Sequence, residues 1–113
     1  MSVVKNREVA KVEHVQGGEG YILRDLLLQE SQLHGVCTYV SCITLNPGCE
    51  IGNHTHVEDS EMYFIIEGKG LYNDNGEELE VCAGDVMFCD KGEAHAIKNN
   101  TDKPLKFVAL IQK

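Results

Sequence analysis

Apolar residues in this chain come in short runs of strand length, not in stripes spaced three or four residues apart. The runs are YILRDLLL (21–28), VCTYVSCITL (36–45), EMYFIIE (61–67), EELEVC (77–82), VMFC (86–89), HAIKN (95–99) and PLKFVALI (104–111). β-Branched and aromatic residues are common in them, which favours strands. Turn signals separate them: NPG at 46–48, EGKG at 67–70, NDNG at 73–76, AGD at 83–85, DKGE at 90–93 and NTDKP at 100–104. Asn75-Gly76 suits a tight hairpin. Many short strands at regular spacing predict an all-β fold, an antiparallel sandwich or barrel. RDLLLQESQL (24–33) competes as a helical turn, but its leucines are consecutive and give no amphipathic stripe. The early segment REVAKVEHV alternates like a strand. It predicts an exposed edge able to pair across a two-fold axis, and so a homodimer.

Composition narrows the class without changing this picture. A chain of 113 residues fits a single domain, 1–113, long enough for one core and too short for two. Its formal net charge is −8, with no cluster of lysine and arginine. Such a chain is poorly matched to nucleic acid or to an anionic membrane, and simple solubility accounts for the charge. No segment approaches the roughly 20 apolar residues of a membrane helix. MSVVKNREVAKVEHV lacks the apolar run of a signal peptide. The five cysteines form no CxxC pair, and an odd count of reduced thiols fits a cytoplasmic location. Most are expected to act as small buried hydrophobes.

The chemistry concentrates in GCEIGNHTHVEDSEMYFIIEG (48–68). On a strand, residues two apart share a face. His54 and His56 therefore point the same way, and so do Glu61, Tyr63 and Ile65. A hairpin between these stretches would set Glu61 beside both imidazoles. Three of the five histidines, His54, His56 and His95, sit beside turn-to-strand junctions. Imidazoles and a carboxylate are good ligands for Fe, Mn, Co, Ni, Cu or Zn, although histidines this close together are often merely polar surface.

Two stretches together resemble the paired motifs of the cupin superfamily. The first motif places glycine, His-x-His, glutamate and glycine at fixed spacing, matched by Gly48, His54, His56, Glu61 and Gly68. The second is matched by Gly84, Gly92, His95 and Asn99, with Asp90 where the family usually carries proline. The motifs cover 48–68 and 84–99, and the flanking runs supply the further strands of one cupin domain. The resemblance implies a double-stranded β-helix, a small jelly-roll-like barrel with one open mouth. It implies that His54, His56, Glu61 and His95 ligate a divalent transition metal with one or two positions open; the N₃O donor set itself favours Fe or Mn and also admits Ni, Co, Cu or Zn. Intact ligands argue against the metal-free epimerase and storage branches, and Glu61 argues against the thiol dioxygenases. Asp90 should still make the turn, through bonds to its own backbone.

Around that site, Tyr63 is a candidate catalytic residue, able to donate a proton or orient a substrate. An inward tyrosine with a satisfied hydroxyl is the plainer reading. Tyr39 has weaker grounds. Arg24 is one of two arginines and is expected to face solvent or an acid; facing the pocket, it would suggest a carboxylate or phosphate substrate. Cys37 and Cys89 are read as buried thiols, Glu58 and Asp59 as a solvated loop, and His14 and His34 as non-ligands. The function expected is metal-dependent chemistry on a small molecule, dioxygenase-like or a related decarboxylase, lyase or isomerase activity. The alternative is a non-catalytic module in which metal anchors a small ligand.

Overall fold

The computed structural model describes residues 3–113. It contains ten strands: β1 (Val9–Glu13), β2 (Tyr21–Leu26), β3 (Cys37–Leu45), β4 (Glu50–Thr55), β5 (Ser60–Glu67), β6 (Lys69–Asp74), β7 (Glu77–Cys82), β8 (Val86–Cys89), β9 (Ala94–Lys98) and β10 (Leu105–Gln112). They form a six-stranded sheet ordered β1-β2-β3-β10-β5-β8 and a four-stranded sheet ordered β4-β9-β6-β7. Every pairing is antiparallel. The chain crosses repeatedly between the sheets, as a double-stranded β-helix does.

Side-chain alternation fills the space between the sheets. Register aligns the inner residues of β3, β10 and β5 in rows. Leu45 faces Leu105, then comes the row Ile43–Phe107–Ile65, then Ser41–Ala109–Tyr63, then Tyr39–Ile111–Glu61. The first rows are sealed, whereas Tyr39 and Ile111 are half-buried. The rows thus run from an apolar floor to a polar mouth, and Glu61 stands in the row nearest the opening.

The opposite wall needs a local irregularity. Ile51 and His54 both face inward, yet they are three residues apart, an odd number that strict alternation forbids. The β4–β9 register shifts between them, and this bulge turns the histidine inward. A Cβ on Gly52, inside the bulge, would collide with the Gln16 carbonyl oxygen. Glycine is therefore what lets β4 pack against the 3₁₀ turn Val15–Gly17.

Three features differ from the sequence expectation. The turn signals at 67–70 and 73–76 predict a loop where β6 forms. Tyr72 anchors β6 in the core at 2% exposure, both edges of the strand are hydrogen-bonded, and the bare Gly70 admits Leu105. The run 21–28 ends as a strand at Leu26, and one helical turn, α1 (Glu30–Leu33), follows. Gln29 and Gln32 cap that turn reciprocally. As expected, the alternating N-terminal segment forms a strand: β1 pairs with β2 and leaves its other edge free among the described residues. Finally, only Cys49 and Cys89 are buried; Cys37 and Cys42 are half-buried and Cys82 is exposed, all as free thiols.

Candidate metal centre

His54, His56, Glu61 and His95 converge on one point, each offering a donor atom within 4.8 Å of every other. The register explains the meeting. His54 pairs directly with His95 across β4 and β9. Glu61 comes from the facing sheet. His56 is held by its backbone: its N–H donates to the Glu93 carbonyl, and its carbonyl accepts from Gly92 at 2.6 Å. The second motif's turn is thereby strapped to the first motif's histidine. Asp90 serves this turn as expected, its carboxylate accepting from the Lys91 N–H at 2.8 Å. The Asp90 N–H also donates to the Glu93 carboxylate at 2.8 Å, a bond proline could not make.

The outer nitrogens of the imidazoles decide what the inner ones can do. His54 Nδ1 donates to the Gly52 carbonyl at 2.8 Å, and His56 Nδ1 donates to the Asp59 carboxylate at 2.6 Å. His95 Nδ1 lies 2.8 Å from the Tyr72 hydroxyl. With the proton held on Nδ1, neutral His54 and His56 turn unprotonated Nε2 atoms into the site. Those Nε2 atoms lie 3.0 Å and 3.1 Å from that of His95, and Glu61 Oε1 lies 3.0 Å from His95 and 3.2 Å from His56. Lone pairs facing one another across 3 Å repel unless a cation or proton sits among them. The donor set, three borderline nitrogens and one hard oxygen, therefore fits a transition metal.

Glu61 and His95 are shifted toward the forms that ligation requires, and His54 is shifted the other way. Burial pushes the Glu61 carboxyl up, but the imidazoles of His54, His95 and His56 around it overcome this and hold the pKa at about 2. Glu61 is thus a carboxylate at neutral pH. Burial also drives His54 down, but Glu61 and the Gly52 carbonyl outweigh it and raise the pKa. For His95 burial prevails and keeps the pKa below its ordinary value, favouring the neutral ring that ligation requires.

The cluster opens into a cavity of about 220 Å³. Ile22, Ile43, Ile51, Ala109 and Ile111 supply much of its wall, and Tyr39, Tyr63 and Arg24 also line it. Tyr63 is 2% exposed and stacks on His95, with ring centroids 4.9 Å apart and planes 17° off parallel. Burial and the Glu61 carboxylate push its pKa well up, so its hydroxyl stays protonated. Two expectations are corrected here. Arg24 faces the cavity, because it follows the core residue Ile22 by two positions on β2. It makes no ion pair among the described residues, and its buried Nε has no hydrogen-bond partner. An orphaned buried donor costs about 1–3 kcal/mol. Asp59 is no mere solvated acid, since it fixes His56.

His14 and His34 lie outside the cluster, each in a left-handed backbone turn. Cys37 and Cys89 do not line the cavity. Tyr72 escaped sequence reasoning because its strand did. An aromatic two residues after Gly70 was the available signal. The Asn99 side chain, buried completely, donates to the Leu45 and Lys103 carbonyls, so the motif's last residue is structural.

The cupin domain family (Cupin_2) matches residues 41–111, and the chain belongs to it. The chain is 34% identical to an oxalate-binding protein of Thermotoga maritima, over 96% of this chain and 92% of that one. A crystal structure of a predicted oxalate decarboxylase from the same organism superposes with a TM-score of 0.94, at 33% identity and 97% coverage of both chains. A 5-nitrosalicylic acid 1,2-dioxygenase of Bradyrhizobium sp is 32% identical over 58% of this chain and 31% of its own. No helix among the described residues is long and apolar enough to cross a membrane.

Proposed function

We propose that His54, His56, Glu61 and His95 hold a divalent transition metal, Fe or Mn before Ni, Co, Cu or Zn, and that the cavity beside them takes a small carboxylate for metal-dependent chemistry. One observation carries this reading: three imidazoles tied back through Nδ1 aim Nε2 at a single point shared with a permanently ionised Glu61. Bound there, such a metal supplies Lewis acidity or a redox centre at its open positions. The residues do the rest. The apolar wall excludes water, and Tyr63 keeps a proton available beside Glu61 and orients the bound molecule. The acidic surface and the absence of a basic cluster argue against nucleic acid and membrane partners. The reaction type is dioxygenase-like or decarboxylating, in keeping with the names of the relatives.

Oxalate binding without turnover is the second reading, favoured by the name of the relative aligned along nearly its whole length. Metal analysis of the purified protein, with His54→Ala and His95→Ala as controls, tests the shared premise. About one transition-metal equivalent in the wild type and a loss in both variants are expected. A metal-free wild type would sink both readings. Oxygen uptake and product release with a panel of carboxylic acids, diketones and phenols then separate enzyme from binder.

A further inference from the structure

We infer that Arg24 is the specificity-determining residue of the cavity: its guanidinium takes the second carboxylate of a short dicarboxylate whose first carboxylate faces the histidine–glutamate cluster. This inference rests on the metal-binding reading above and adds which ligands the site prefers, and why.

The argument starts from the two arginines of the chain. Asp25, next to Arg24, points outward and is taken by Arg7, with contacts of 2.7 Å and 3.0 Å. Arg24 points inward instead, without an acid. It is the one lysine or arginine lining the cavity that also holds His54, His56 and Glu61. Its Nε is one of two buried side-chain polar atoms left unpartnered among the described residues. The other is Ser41 Oγ. Arg24 pairs in register with Ile43, whose same-face neighbour on β3 is Ser41, so the two orphans belong to one patch of wall. Tyr39, next along that face, adds a hydroxyl to the same cavity. Donors gathered on one wall, with Arg24 Nε and Ser41 Oγ unpartnered, are complementary to an anionic acceptor, and a guanidinium fork matches a planar carboxylate.

Charge sets the number of carboxylates. A divalent cation with Glu61 leaves one net positive charge, and Arg24 adds a second. The remaining lining side chains are neutral at pH 7 when His54 and His56 act as ligands. A dianion balances the pocket and a monoanion leaves Arg24 unmatched. The volume, below the roughly 300 Å³ at which drug-sized sites begin, restricts the ligand to a small one.

The test is calorimetric titration of the metal-loaded protein with oxalate, malonate, succinate and acetate. The best dicarboxylate should bind at least about 10-fold tighter than acetate, since a charge-assisted fork is worth about 10- to 100-fold. Arg24→Gln should erase that preference while leaving metal content unchanged. Arg24→Lys, which keeps charge but loses the fork, should restore part of it. An Arg24→Gln protein that is metal-loaded and still prefers the dicarboxylate overturns the role of Arg24 alone. A metal-loaded wild type that binds no carboxylate overturns the proposed function together with it.

Discussion

Two tyrosines flank His95 and do different work. Tyr72 meets the outer nitrogen of the ring at 2.8 Å, whereas Tyr63 lies flat against its face and borders the cavity. Once Nε2 is committed to a metal, Nδ1 must carry the proton and donate it to the Tyr72 oxygen. Tyr72→Phe should therefore weaken metal affinity by about 10- to 100-fold, the usual effect of losing a hydrogen bond behind a ligand. Equilibrium competition with a chelator measures it. Tyr63→Phe should keep the metal and lower turnover, or ligand affinity if the protein only binds. A Tyr63→Phe protein with wild-type kinetics and affinity would reduce that residue to packing. At this scale the four clustering residues were legible and their supports were not. Histidine and glutamate spacing is carried by the chain itself, but the partners of each Nδ1, a backbone carbonyl, Asp59 and Tyr72, are set by folding. Arg24 was misjudged because its run is apolar on both faces, so alternation did not mark the inner one, and charge usually settles outside.

Among the elements, the loop after β9 shows how a motif residue can serve structure alone. Asn99 donates to carbonyls at residues 45 and 103, and its own oxygen accepts from the Thr101 N–H and hydroxyl. Asn99→Ala would take a donor from the buried Leu45 carbonyl and from the exposed Lys103 carbonyl, and the acceptor from the Thr101 N–H and hydroxyl. It should cost about 2–4 kcal/mol, on the order of 10 °C in melting temperature, with metal content per folded molecule unchanged. Loss of metal from folded protein would instead place Asn99 in the site. Strand legibility followed neighbours as much as residues. Apolar runs announced β3, β5, β8 and β10 nearly to the residue. β6 carries Gly70 and Asn73 and reads as turn, and only pairing on both edges makes it a strand.

At the scale of the molecule, the free edge of β1 and the exposed Val9, Val86, Phe88 and Ile66 leave apolar surface at both ends of the six-stranded sheet. We expect a homodimer, as the alternating N-terminal strand suggested, and sedimentation at micromolar concentration checks it. A monomer would remove that expectation and leave the site untouched, since every candidate ligand comes from one chain.

The pairing of His54 with His95 has a further consequence for stability. Forty-one residues separate them along the chain, so an ion gripping both acts as a removable cross-link. In the loop-entropy picture, closing a loop of that length restrains the unfolded chain by about 4 kcal/mol for a covalent bridge, and a tight ion approaches this. Chelation should therefore lower the melting temperature. It should also speed amide exchange first along β4 and β9, where the cross-link is fastened, before the apolar floor around Phe107 and Ile65 gives way. The cofactor of the open mouth would then also serve as the clasp that keeps the two motifs folded against each other.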